Sequence, residues 1–240
     1  MKIGVPTEVS SGETRVAATP ETVKKLRAAG LIVAIESRAG LGSHFTDDAY
    51  RDAGAEITDA TGALGADIVF KIHKPTFGEI RCLRRGAVLI SLLDMCHDDG
   101  TFDALAGQDV DSFALEMIPR LSRAQTMDVL SSQSNIAGYR AVLEAARLYG
   151  RFFPMMMTSA GSAKPARVYV LGAGVAGLQA IATARRLGAQ VWAYDVRPEV
   201  KEQVLSLGAK FVEFDLGESG SGTGGYAKQL SAETQRHEQR

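Results

Sequence analysis

The sequence predicts an α/β protein made of two Rossmann-like, doubly wound parallel-sheet domains, the second of them incomplete. Three observations lead there. An amphipathic segment, a glycine and a short β-branched run recur in that order along the chain. One strand-like run, Arg167 to Leu171, opens into Gly172-Ala173-Gly174-Val175-Ala176-Gly177, a glycine-spaced turn ahead of a helical pattern. The 240 residues are 45% hydrophobic and 23% charged, with only 7 prolines. That is enough apolar material for a folded core and too little bias for a disordered or fibrous chain.

Taken in order, the elements justify the assignment. Thr19 before Pro20 and Thr46 before Asp47 read as helix starts, a capping hydroxyl followed by a helix-compatible first turn. The first helix ends at Gly30 and gives way to the strand Leu31–Ile35; the second ends at Gly54, before Ala55–Ile57. In each case glycine takes the left-handed conformation that closes a helix, and the chain drops into a buried strand. Further strands are expected within Asp67–Ile72, Ala87–Leu93 and Ser112–Leu115. A long helix follows from about Ser131 to Tyr149, with Ile136, Tyr139, Leu143 and Ala146 at helical spacing. Residues 150–165 contain Pro154, Gly161 and Pro165 and are expected to be irregular, with Met155 to Met157 filling a gap between domains.

The glycine-ended series then resumes. Gly188 leads into Val191–Tyr194 and Gly208 into Phe211–Val212, the last strand spanning about Lys210–Phe214. Gly217 to Gly225 is a loop by composition, and a charged, helix-prone tail reaches Arg240. Strands alternating with helices imply a parallel sheet covered by helices on both faces. The reading divides the chain into an N-terminal α/β domain at 1–130, a bridging helix and linker at 131–165, and a nucleotide-binding domain at 166–240. Only three strands are legible after Arg167, whereas a full dinucleotide fold has six, so the second domain is expected to hold its first half alone.

Composition removes several function classes. A formal net charge of −1 supplies no basic footprint for nucleic acid. Two cysteines, Cys82 and Cys96, build neither a disulfide framework nor a four-cysteine metal site, and Cys96-His97-Asp98-Asp99 matches no zinc spacing. The N-terminus has no apolar segment of signal-peptide type, and no run approaches the length of a membrane span. A soluble chain on the cytoplasmic side, without a metal and without direct membrane insertion, is expected.

Two motifs carry chemistry. In the glycine turn, Gly172 permits the tight bend, Gly174 lets the backbone approach a pyrophosphate, and Gly177 allows helix and strand to pack closely. The helix N-terminus then offers N–H groups and positive dipole to phosphates. Asp195 ends the next predicted strand, where a carboxylate accepts ribose hydroxyls and repels a 2′-phosphate, favouring NAD over NADP. Arg197 argues the other way, since a nearby arginine can accommodate that phosphate. The second motif runs from Arg120 to Asn135 and enters the long helix; Arg120, Gln125, Asp128 and Ser131 offer the donors and acceptors that a nicotinamide carboxamide needs. A plain alternative stands beside it: Asp128 or Ser131 serves only to cap the helix.

Glu13-Thr14-Arg15-Val16-Ala17, Ser122-Arg123-Ala124-Gln125, Met127-Asp128, Ser131-Ser132-Gln133, Ala137-Gly138-Tyr139, the glycine turn, Asp195-Val196-Arg197 and Gly224-Gly225-Tyr226-Ala227-Lys228 together resemble the alpha-subunit family of proton-translocating NAD(P) transhydrogenase. The glycine turn and the N-terminal arginine motif are shared with alanine dehydrogenase. The resemblance implies that Arg120, Gln125, Asp128 and Ser131 surround the nicotinamide. It also implies that Val175 lies over the pyrophosphate, that Asp195, Val196 and Arg197 hold the adenosine ribose, and that Gly225 and Tyr226 belong to a closing loop. It further implies NAD as cofactor, a homodimer, and NADP-binding and membrane-spanning partner components that keep the chain peripheral to the inner membrane. In that family hydride passes directly between NAD(H) and NADP(H), so no general acid, base or metal is required. Because the family's subunit continues beyond this sequence, the chain is expected to be a truncated form, impaired in hydride transfer alone.

Two other readings remain. One is an amino-acid dehydrogenase similar to alanine dehydrogenase, with Arg15 as carboxylate anchor. That family places a lysine and a histidine where this sequence has His73 and Asp94, so its substrate machinery is expected to be missing, although Lys74 and His97 are close by. The other is an inactive nucleotide-binding module.

Overall fold

A computed structural model of the chain describes residues 1–97, 99–119 and 121–213, together with Gly222 and Lys228. The chain divides into two compact units, Met1–Met127 and Asp128–Arg240. No helix among the described residues is long and apolar enough to cross a membrane.

The first unit carries strands β1 (Lys2–Val5), β2 (Ile32–Glu36), β3 (Glu56–Thr58), β4 (Ile68–Phe70), β5 (Val88–Ser91) and β6 (Asp111–Ala114), with helices α1 (Pro20–Ala28), α2 (Asp47–Asp52), α3 (Ala60–Leu64), α4 (Phe77–Cys82) and α5 (Thr101–Gly107) between them. The strands form one sheet in the order β3-β2-β1-β4-β5-β6, every pair parallel. The order reverses between β1 and β4, the kind of switch point at which such sheets open a crevice for ligands. One apolar cluster gathers Ile3, Val5, Val23, Val33, Ile35 and Tyr50, and another gathers Leu64, Val69, Ile80, Leu89 and Leu105. Burial pushes the Tyr50 phenol up to about 12, and its hydroxyl donates to the Ala18 carbonyl at 2.8 Å.

The caps expected from sequence are in place. Thr19 and Thr46 each accept a backbone N–H at the start of α1 and α2. Gly30, Gly54, Gly188 and Gly208 all hold positive φ angles of 77–91°, ending their helices as predicted. The central strand β1 was not among the expected strands, because Gly4 interrupts its apolar run. The structure supplies the reason for that glycine: a Cβ there would stand 1.8 Å from the Ala63 carbonyl oxygen on α3.

The second unit begins with α6 (Val129–Leu148), then β7 (Met156–Thr158), β8 (Gly161–Ala163), β9 (Arg167–Leu171), α7 (Val175–Arg186), β10 (Gln190–Tyr194), α8 (Lys201–Ser206) and β11 (Lys210–Phe211). Its sheet has the order β11-β10-β9, all parallel. Val142 from α6 and Ile181 from α7 share an apolar core with Ala173, Val191 and Val204. The two helices touch closely at Gly138, where a Cβ would lie 2.0 Å from the Ala176 carbonyl oxygen. One row across the other face holds Tyr169 stacked on Trp192, ring centroids 5.4 Å apart, with the Lys210 ammonium 5.3 Å from the Trp192 ring.

One expectation for residues 150–165 needs correction. The segment is not wholly irregular: β7 and β8 pair antiparallel, closed at Thr158 and Gly161. The Thr158 hydroxyl accepts the Ala160 amide, and Gly161 supplies a φ of +137°. Met155, Met156 and Met157 are exposed, Met157 by 74%. A hairpin with no buried face has no alternating pattern to betray it. The last strand, expected over about Lys210–Phe214, is shorter, Lys210–Phe211; Phe214, the loop at 217–225 apart from Gly222, and the tail to Arg240 apart from Lys228 lie outside the described residues.

Candidate functional site

The Gly172–Gly177 turn has the geometry its spacing demands. Gly172 takes φ +91° and its N–H donates to the Tyr194 carbonyl at 2.8 Å, tying the end of β9 to the end of β10. Gly174 is the N-cap of α7 and contributes no side-chain cap, so the helix begins with its N–H groups uncapped by any side chain. A Cβ on Gly174 would meet nothing within 4 Å, whereas one on Gly177 would sit 1.8 Å from the Gly172 carbonyl oxygen. The first position is open to a bound group and the second is closed by backbone packing. Val175, at the head of α7, is half-exposed.

Asp195 follows β10 directly, and four donors converge on it. The amide and Nε of Arg197 both donate to Oδ1 at 2.9 Å. Arg197 Nη2 donates to Oδ2 at 2.8 Å, and the Ala173 amide, inside the glycine turn, donates to Oδ2 at 2.7 Å. The Asp195 side chain is only 5% exposed and that of Arg197 12%. Burial raises the pKa of this carboxyl, but the bonds from Arg197 and the Ala173 amide outweigh it and leave the group below its ordinary value. Asp195, Arg197 and the glycine turn thus form one connected piece. The Ala173 amide is the component that sequence reasoning missed, because a backbone donor leaves no mark on residue identity.

The remaining candidates are placed separately. Gln125 is exposed on the 3-10 segment Ser122–Met127 of the first unit. Asp128 is the N-cap of α6: its Oδ1 accepts the Ser131 amide at 2.9 Å and its Oδ2 the Ser131 hydroxyl at 2.6 Å. The capping role left open by the sequence is therefore occupied. Val196 is partly buried between Asp195 and Arg197. Arg120, Gly225 and Tyr226 lie outside the described residues.

In the first unit a second charged cluster gathers around Glu13. Its Oε1 accepts the Arg15 amide at 2.8 Å and Arg15 Nε at 2.9 Å, while Oε2 meets Arg15 Nη2 at 2.6 Å and His73 Nε2 at 2.7 Å. Arg15 above all, and His73 after it, hold the Glu13 carboxyl down to about 2 against the opposing effect of burial. Lys71 is fully buried, 2.7 Å from Glu79 and 3.5 Å from Glu8. Lys74 bonds Asp99 at 2.9 Å. Arg15, Lys71 and Lys74 are thus each paired with a protein carboxylate.

Comparison with known proteins agrees with the motifs. The family model described as alanine dehydrogenase/PNT, N-terminal domain, matches residues 4–137, and the corresponding C-terminal domain matches residues 141–239. An NAD(P) transhydrogenase subunit alpha chain from Rhodospirillum rubrum is 49% identical over 242 residues, covering 97% of this chain and 63% of that protein. A crystal structure of transhydrogenase from Sinorhizobium meliloti superposes with a TM-score of 0.87 at 51% identity, over 89% of this chain and 64% of that one. Alanine dehydrogenase from Staphylococcus epidermidis is 31% identical over 211 residues, 86% of this chain and 56% of that protein. The chain spans less than two thirds of the length of these relatives.

Proposed function

Since the chain belongs to the alanine dehydrogenase/PNT family, we propose that it is the NAD(H)-binding component of a proton-translocating NAD(P) transhydrogenase. In this reading it exchanges hydride with NADP(H) held on a partner component, works as a homodimer, and sits at the inner membrane through membrane-spanning partners. The observation that carries the reading is the 2.7 Å bond from the Ala173 amide to Asp195, which links a phosphate-type glycine turn to the residue fitted for a ribose. The open position at Gly174 and the uncapped start of α7 suit a pyrophosphate.

Bound NAD supplies the hydride-accepting ring. The chain's own task is to bind, orient and exclude water. The uncapped N–H groups of α7 hold the phosphates, and Asp195 fixes the adenosine ribose. Arg120, Gln125, Asp128 and Ser131 orient the carboxamide, and Gly225 and Tyr226 close over it. No side chain has to move a proton. The amino-acid dehydrogenase reading is less well supported, because His73 and Asp94 stand where that family carries a lysine and a histidine.

NADH binding, followed by fluorescence, tests the first step, and NADPH-driven reduction of an acetylpyridine NAD analogue in the presence of the partner components tests the second. Binding and partner-dependent turnover are expected. Alanine-dependent formation of NADH, or no affinity for NADH, would overturn the proposal.

A further inference from the structure

The bonding of Asp195 bears on how a nucleotide is chosen. A carboxylate offers about four acceptor positions, and on Asp195 all four are used. The four donors fall into two kinds. The Ala173 and Arg197 amides belong to the backbone and fix the carboxylate in place. Nε and Nη2 of Arg197 belong to a side chain and can leave. A ribose with free 2′- and 3′-hydroxyls brings two O–H donors, as many as the guanidinium withdraws.

We propose that Arg197 is a specificity-determining residue that holds Asp195 in place of the adenosine ribose, its two side-chain donors exchanging one for one with the 2′- and 3′-hydroxyls. The inference rests on the dinucleotide reading and deepens it. A 2′-phosphate brings no donor to the position that Nε or Nη2 vacates. It would leave a carboxylate that is 5% exposed facing an anion, and burying an unpaired charge is strongly unfavourable. Discrimination therefore comes from the exchange at Asp195, and Arg197 acts by competing for that carboxylate rather than by reaching for a phosphate. The side chain also keeps Asp195 neutralised before nucleotide arrives, which explains why a buried carboxylate is tolerable there.

The test is titration of NADH and NADPH, each followed by quenching of Trp192, the single tryptophan, in the 240-residue chain and its Arg197→Met, Arg197→Lys and Asp195→Asn variants. With the competitor removed, Arg197→Met should bind NADH about 3- to 10-fold more tightly, with no matching gain for NADPH, so the selectivity ratio widens. Arg197→Lys, which keeps the charge but loses the two-pronged geometry, should fall between it and the parent. Asp195→Asn should lose most of the preference. Weaker NADH binding by Arg197→Met, or an unchanged ratio, would overturn the exchange. If the Met variant does not fold, the Lys variant decides on the same signs: tighter NADH binding supports the exchange, and weaker or equal binding overturns it. Folded proteins that bind neither nucleotide in any version would overturn the dinucleotide reading and this inference with it.

Discussion

The two units contain the same local device in different settings. Glu13 and Arg15 in the first, and Asp195 and Arg197 in the second, are each an acid followed two residues later by an arginine. In both, the arginine returns its own amide, its Nε and its Nη2 to the carboxylate at 2.6–2.9 Å. The fourth donor differs. For Asp195 it is a backbone amide inside the glycine turn; for Glu13 it is the imidazole of His73, whose side chain is 39% exposed. A clamp completed by backbone is a fixture of the strand ends, and its fourth donor does not titrate. A clamp completed by a half-exposed imidazole rests on a side chain that can turn away into solvent.

The largest effects should come from the glycines that underlie the two sheets. Gly177→Ala and Gly4→Ala each drive a Cβ to 1.8 Å from a carbonyl oxygen, and each should cost about 3 kcal/mol in urea unfolding. Only Gly177→Ala should also lower NADH affinity, by tenfold or more, because it pushes on Gly172. Equal loss of binding in both variants would erase the contrast between the units.

Next in size, Asp195→Asn should weaken NADH binding about 10- to 100-fold in a direct titration, by loss of charge-assisted bonds. Glu13→Gln, by contrast, should leave NADH affinity unchanged and cost about 2 kcal/mol of stability at neutral pH. The acid limb follows from the sign of the shift. Glu13 titrates near 2 in the folded chain rather than at 4.5, so its contribution is complete above pH 4.5 and fades as pH falls toward 2. Thermal melting across that window should therefore slope less steeply in Glu13→Gln than in the parent. An identical slope would show that Glu13 is not held as its bonding indicates. The smallest expected effect is that of His73→Phe, below about 1 kcal/mol by the same melting measurement, since three of the four donors to Glu13 remain.

Much of the framework was legible because its causes are local. Glycines that end helices and hydroxyls that begin them leave a residue-level mark, and Gly30, Gly54, Gly188, Gly208, Thr19 and Thr46 behave as their positions predict. Gly177 was readable for the same reason. What escaped depends on partners distant in sequence. Gly4 weakens the apolar signature of β1 because α3 passes against it, and no periodicity in residues 2–5 records the position of Ala63. The β7–β8 hairpin escaped because it buries no face. At the site, Asp195 and Arg197 were both found as residues, but their direct pairing was not, since adjacency in a loop carries no period. Asp128 is instructive in another way: the same carboxylate suits a carboxamide and a helix cap, and only coordinates reveal that the cap is made.

The contact between Gly138 and Ala176 has a mechanical consequence. Two helices whose backbones meet resist sliding at that point, and rocking about it is the motion such a contact opposes least. From Gly138 back to Asp128 is ten residues, a lever arm of about 15 Å at the helical rise. A rocking of about 4° then carries the start of α6 through about 1 Å, a displacement on the scale that separates productive from unproductive placement of reacting groups. The fulcrum stands within the first turn of α7, one residue after Val175. Any force that reaches the head of α7 is therefore applied beside the pivot of α6, where a small push yields a large sweep at the far end.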